Sequence, residues 1–161
     1  VVVKDFVIRD MTAADAESVG RVGFEAWAAN PVLNAFGVDM MVKIRLNFRR
    51  FAQEHFSLIT VGELGGEIVG WTAREGARDY ISDLWVSPVH QGLGIGSALI
   101  SSLVREMRSE GLKRARIDTH AANEGAIRLY KDLGFSIVWR GMQHSPAMGM
   151  TVDKVKMQQV F

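Results

Sequence analysis

The stretch Gln91-Gly92-Leu93-Gly94-Ile95-Gly96 constrains this chain more than any other. It follows a β-type run, Tyr80 to Val86, beyond Pro88, and it leads into an amphipathic run from Ser97 to Glu110. There Leu99, Leu103 and Met107 recur every four residues, with Ile100 and Val104 beside them, which is helical spacing. Alternating glycines at a strand-to-helix junction let the backbone approach a ligand and turn its N–H groups inward. The helix start adds orphan donors and a partial positive charge, so an anion such as a pyrophosphate fits there. The alternative is a turn whose glycines serve tight packing alone. Either way the middle of the chain is committed to strand–loop–helix.

The flanking pattern fills in an architecture. Phe6 to Arg9 reads as a strand, and Thr12 caps a helix carrying Val19, Val22, Gly23 and Ala26, stopped by Asn30-Pro31. Asp39 caps a second helix, with Met41, Ile44, Phe48 and Phe51 in a stripe, ending near His55. Leu58 to Val61 and Ile68 to Trp71 form a hairpin about Gly65-Gly66. Gly111 terminates the helix after the glycine loop, and Arg114 to Thr119 is a strand. Asn123 caps a helix to Leu133, which Gly134 ends, with Phe135 packing back on its last turn. Ser136 to Arg140 and Met150 to Met157 complete an α+β arrangement on a mixed sheet. The 161 residues make one domain, with no linker or repeat.

Composition excludes several functions. The net charge is +1, so no broad nucleic-acid footprint is expected. There is no cysteine, which removes disulfides, thiolate–zinc sites and a cysteine nucleophile. His55, His90, His120 and His144 lack metal-ligand spacing with one another, so no metal is expected. The first residues do not read as a signal peptide and no apolar run reaches membrane-span length, so the expectation is a cytoplasmic protein without a membrane partner. The glycine loop lacks a Gly-Lys-Ser/Thr ending, and no Gly-x-Ser-x-Gly elbow occurs. A nicotinamide-dependent oxidoreductase is a further alternative, with Asp118 placed for a ribose, but the hairpin-rich first half lacks its alternating βαβ order.

Val86 to Gly96 resembles the acyl-CoA-binding signature of the GNAT N-acetyltransferases, whose core is Gln/Arg-x-x-Gly-x-Gly/Ala. Gln91, Gly94 and Gly96 fill it. Asn123 to Phe135 is similar to the same family's second signature, with Asn123, Ala126, Tyr130 and Gly134-Phe135 in register. The resemblance implies an α+β fold with a mixed, mostly antiparallel central sheet, splayed between its fourth and fifth strands, and helices on both faces. It implies acetyl-CoA in the cleft as cosubstrate. Leu84, Trp85 and Val86 would offer backbone groups to the pantetheine arm and thioester carbonyl. Gln91, Gly92, Leu93, Gly94, Ile95, Gly96 and Ser97 would cradle the pyrophosphate, and Asn123 and Tyr130 would reach the far side of the arm. One backbone donor at the carbonyl oxygen is worth about 3 kcal/mol in a dry site. Freeing such donors at Leu84 to Val86 calls for a bulge in the strand.

The resemblance also assigns roles. Tyr130 is the candidate general acid for the departing thiolate, against the alternative of an ordinary core tyrosine. Asp118 is the candidate base, against a strand-end carboxylate that only accepts hydrogen bonds; relatives that acetylate ribosomal-protein N-termini carry a longer Glu there. Asp83 and His120 are lesser candidates. Arg128 and Lys131 either meet CoA phosphates or lie on a solvated helix face. Trp27, Phe36 and Trp139 either line the acceptor side or pack in the core. The expected function is direct acetyl transfer from acetyl-CoA to a primary amine of a small molecule or amino acid. A peptide N-terminal acetyltransferase and a non-catalytic acyl-CoA-binding module are the alternatives, and a homodimer is compatible with the family.

Overall fold

A computed structural model describes residues 4–30, 37–146 and 148–161. The strands are β1 (Phe6–Asp10), β2 (Ile59–Leu64), β3 (Glu67–Ala73), β4 (Tyr80–Ile81), β5 (Asp83–Val86), β6 (Arg114–His120), β7 (Ser136–Ser145) and β8 (Met150–Val160). The helices are α1 (Ala16–Ala28), α2 (Val38–Glu54), α3 (Ile95–Ser109) and α4 (Glu124–Asp132). The strands form two four-stranded sheets, ordered β1-β2-β3-β5 and β4-β6-β8-β7. Among the described strands only β4 and β6 pair in parallel.

The expected splay lies at one residue. The run from Tyr80 to Val86 is two strands, because Tyr80 and Ile81 pair with Arg116 and Ile117 whereas Asp83 to Val86 pair with β3. Ser82 donates its N–H to the Ala73 carbonyl at 2.9 Å, although Ala73 is already paired with Asp83. Two residues thus oppose one, which is a β-bulge, and it bends the strand out of one sheet into the other. The bulge falls just before Leu84, and β5 itself keeps a regular register with β3. Salt bridges brace the approach to this bend. Asp79 holds Arg114 at 3.0 Å as well as Arg116, and Arg74 reaches Glu110, just past the end of α3, at 2.9 Å.

Helices cover both faces of the first sheet. Glu63 pairs with Ile68 and Gly62 with Gly70, so Val69 is an extra residue in β3. That bulge sends Val69 to α3, where it packs with Ile95 and Leu99, while Ile68, Trp71 and Ala73 pack with Val19, Val22 and Ala52 of α1 and α2. A third cluster fills the second half, where Leu103 and Met107 of α3 meet Ile117, Tyr130, Val155 and Met157. Helix α1 crosses α2 through two glycines. A Cβ on Gly20 would stand 3.1 Å from the Arg49 Cα, and one on Gly23 would stand 2.6 Å from Phe48 Cδ1 and 2.9 Å from Trp71 Cζ2.

Helix ends follow the local sequence, with small shifts. Gly65 and Gly66 turn the β2–β3 hairpin with φ of 58° and 88°. Helix α3 starts at Ile95 rather than Ser97, because Gly94, at φ 83°, already serves as its N-cap. Gly37, not Asp39, caps α2, and Asp39 sits in the first turn. Thr12 precedes a short 3-10 turn, Ala13–Asp15, that feeds α1. Pro31, in the expected stop after α1, lies outside the described residues. Among the described residues no helix is long and apolar enough to cross a membrane.

Candidate active site

The parting of the two sheets opens a cavity of about 1020 Å³. One wall is the free edge of β5. Ser87 N–H donates to Val69 O at 2.8 Å, so by alternation along the strand the Trp85 N–H also faces β3. The N–H groups of Leu84 and Val86 therefore face the cleft. The Val86 carbonyl, on the same side, accepts a hydrogen bond from the Gln91 side chain at 3.2 Å. Trp85 contributes its ring instead, packed edge-on against Phe48 with centroids 5.2 Å apart.

The glycine loop forms the end of the cavity beside β5. Gly92 and Gly94 take φ of 78° and 83°, backbone that side-chain-bearing residues rarely adopt. Gly96 differs from them. A Cβ there would meet Leu129 Cδ2 at 3.4 Å, an ordinary contact, so an alanine would fit, and no left-handed backbone requires a glycine at this position. The first amide bonded within α3 is Ala98, to the Gly94 carbonyl at 3.0 Å. The N–H groups of Ile95, Gly96 and Ser97 are thus unclaimed by the helix, and all three residues line the cavity. Leu93 is 40% exposed and does not line it, unlike its neighbours Gln91, Gly92 and Gly94 to Ser97.

Helix α4 supplies the far wall. Asn123 caps it by accepting the Ala126 N–H at 3.2 Å, which leaves the side-chain amide donors available. The other end closes in a Schellman motif, with Phe135 N–H on the Tyr130 carbonyl at 2.9 Å and Gly134 N–H on that of Lys131 at 3.0 Å. The accompanying apolar contact is Phe135 against Tyr130, ring centroids 6.1 Å apart. Tyr130 is therefore fixed by its own helix end. It is both a buried core residue and a cavity-lining one, and its hydroxyl makes no hydrogen bond among the described residues. Burial, reinforced by the negative charge of Asp83, pushes its pKa well up, so it holds its proton.

Two carboxylates line the cavity. Asp118, on β6, accepts a long hydrogen bond from the Tyr80 hydroxyl at 3.4 Å. Burial and the Asp118 charge push the Tyr80 hydroxyl up to about 12, so Tyr80 is the donor. Asp83, beside the bulge, is the second acid. Burial raises its pKa above the usual carboxylate range, against the hydrogen bond from Trp85 Nε1 at 3.1 Å. His120 lies on the same face of β6 as Asp118, and burial followed by the nearby Lys154 charge pushes it down.

The acceptor-side candidates divide. Trp27 lines the cavity, Trp139 is 40% exposed beneath the Lys156 ammonium, and Phe36 lies outside the described residues. Arg128 and Lys131 are exposed and do not line the cavity. The sequence did not mark Tyr80, Ile44, Phe48, Met148 or Lys154 as site residues, yet all of them line it. Phe48 was legible as part of the α2 stripe. Met148 and Lys154 depend on the β7–β8 hairpin register, which leaves no local mark. Among the described residues no group of three or more His, Asp and Glu converges as a metal site.

A family model described as the acetyltransferase (GNAT) family matches residues 24–135. A mycothiol acetyltransferase of Paenarthrobacter aurescens is 36% identical over 93 residues, covering 53% of this chain and 28% of its own length. An L-methionine sulfoximine/L-methionine sulfone acetyltransferase of Salmonella typhimurium is 30% identical over 107 residues, covering 62% of this chain and 63% of its own. The matched region spans less than two thirds of either relative. The crystal structure of a PaiA N-acetyltransferase from Thermoplasma acidophilum in complex with coenzyme A superposes with a TM-score of 0.78, at 16% identity, over 97% of this chain and 99% of that one. At that identity the likeness is one of fold.

Proposed function

This chain belongs to the acetyltransferase (GNAT) family, and from that premise we propose that it moves an acetyl group from acetyl-CoA directly to a primary amine of a small molecule or amino acid. The observation that carries the reading is the cleft at Ser82, which leaves unclaimed backbone donors on two of its sides. The Leu84 and Val86 amides lie along β5, and those of Ile95, Gly96 and Ser97 start α3. The α3 amides and the helix dipole suit a pyrophosphate. The β5 amides suit the pantetheine arm and a thioester oxygen that gains negative charge. The Asn123 side-chain amide faces the same cavity and adds a donor for the arm.

Transfer then needs a proton removed from the acceptor ammonium and one returned to the leaving sulfur. Tyr130 keeps its proton at neutral pH and is the donor to sulfur. The sequence favours Asp118 as the proton acceptor, but the burial of Asp83 moves our assignment there. A carboxylate with raised proton affinity is better matched to abstraction near neutral pH. Asp118 then faces the acceptor ammonium as an electrostatic partner. The chain has no cysteine to carry an acyl-enzyme, which supports direct transfer.

The test is thermal melting with acetyl-CoA, followed by CoA thiol release over a panel of amines. Acetyl-CoA at a hundredfold excess over its dissociation constant stabilises the protein by about 2.7 kcal/mol. Stabilisation by NADH but not by acetyl-CoA overturns the reading. Stabilisation by acetyl-CoA with no turnover on any amine favours the non-catalytic binding module, and turnover only on peptide N-termini favours the peptide acetyltransferase.

A further inference from the structure

One charged side chain in the cavity has no task in the transfer chemistry. Lys154 is the only lysine or arginine among the described residues that line the cavity. It makes no ion pair among the described residues, although two carboxylates share the cavity with it. Its position follows from register. Lys154 pairs with His120 across β6 and β8, which puts both side chains on one face, and Asp118 is one pair further along that face. The closeness of the Lys154 ammonium to the His120 ring contributes to the depressed pKa of that ring.

Lys154 shares the cavity with the glycine loop but comes from a different stretch of chain. It lies on β8, and the tip of the β7–β8 hairpin packs through Met148 against Phe24, Trp27 and Ile44. The lining that α1 and α2 contribute is apolar apart from Asn30 and Asn47, with no acid or fixed cation. One wall therefore carries the Lys154 ammonium opposite His120 and, on the neighbouring strand, the Asp118 carboxylate, in a cavity that Trp27, Ile44, Phe48 and Met148 also line.

Resting on the acetyltransferase reading, we propose that Lys154, with His120 beside it, anchors a carboxylate on the acceptor, which makes the acceptor an α-amino acid with an uncharged apolar side chain. The acceptor ammonium then faces Asp118 and Asp83, its carboxylate meets Lys154, and its side chain enters the space between Trp27, Ile44, Phe48 and Met148. Lys154 is half-buried and makes no ion pair among the described residues, so a carboxylate gains a charge-assisted partner there that a plain amine or an amino-acid amide does not.

The experiment compares kcat/KM for apolar L-amino acids, phenylalanine and methionine among them, with the corresponding amides and decarboxylated amines. It is run on the wild type, Lys154→Met and Lys154→Arg. The wild type prefers each acid over its amide, and Lys154→Met lowers that acid-to-amide ratio by about tenfold or more. Lys154→Arg restores part of the ratio. Comparing ratios between variants removes the difference in amine basicity between acid and amide. Stabilisation by acetyl-CoA in each variant reports that it is folded. An unchanged ratio in Lys154→Met, or turnover of amines without any preference for a carboxylate, overturns the anchor while leaving the acetyltransferase reading standing. No turnover on any amine overturns both.

Discussion

Gly23→Ala tests the crossing of α1 over α2, because two effects of known sign oppose there. Replacing a helical glycine by alanine normally stabilises by about 1 kcal/mol. Here the new Cβ would stand 2.6 and 2.8 Å from two Phe48 ring carbons and 2.9 Å from Trp71 Cζ2. Neither ring is a flexible tip. Trp71 is fully buried, and Phe48 is held edge-on between Trp71 and Trp85, at centroid distances of 6.3 and 5.2 Å. Overpacking of this kind costs about 1–3 kcal/mol, and the rigidity of both neighbours places it near the top of that range. Subtracting the helix gain leaves a net loss of about 2 kcal/mol, a fall in Tm of about 4–8 °C for a chain of this length. Phe48 lines the cavity, and under the proposed function it borders the acceptor, so relief by its movement also raises KM for the acceptor and leaves acetyl-CoA stabilisation intact. Urea titration with acceptor kinetics on the same preparation reads both. A variant more stable than wild type by about 1 kcal/mol would refute the close-packed crossing and leave helix propensity as the whole effect.

Tyr130→Phe keeps the ring that packs on Phe135 and removes only the hydroxyl; kcat falls by about 10²–10⁴ with the melting temperature and acetyl-CoA affinity held, and undiminished turnover removes the acid assignment. Asp83→Asn keeps an oxygen for Trp85 Nε1, and loses turnover more severely than Asp118→Asn; the reverse order returns the proton-accepting role to Asp118. The same variant reports on pH. The folded-state pKa of Asp83 is raised, so the native state binds its proton more tightly than the unfolded one. Its contribution to stability is complete below the ordinary carboxylate pKa and is lost as pH rises through the raised value. Wild type therefore loses stability relative to Asp83→Asn as pH climbs out of the acid range, and parallel stability–pH curves would contradict the burial argument.

Legibility in the sequence followed the range of the interaction. The α4 end was readable because a Schellman motif is local: Gly134 and Phe135 announce it and thereby fix Tyr130. The glycine loop was readable for the same reason, except that Leu93 is exposed and does not line the cavity. The break at Ser82 was not readable. Tyr80 to Val86 is β-type throughout, and what splits it is a competition between Ala73 and β6 for the same strand, both distant in sequence. The proposed role of Asp83 depends on that split, since the burial that raises its pKa comes with its place beside the bulge. Lys154 was invisible because a lysine in a strand of mixed character gains meaning only from the register of β8 on β6.

The cavity is furnished by separate stretches of chain. Residues between 83 and 130 supply the amides, the glycine loop, Asn123 and Tyr130, whereas α1, α2 and the hairpin tip at Met148 wall the opposite end. These two sets pack into different apolar clusters, with the β5 side chains Leu84 and Trp85 reaching between them. If the cavity works as proposed, a mutational walk through α1 and α2 retunes which acceptor is admitted and leaves the donor grip unaltered. Drift in selectivity would then be easy for such an architecture, and drift in donor would not.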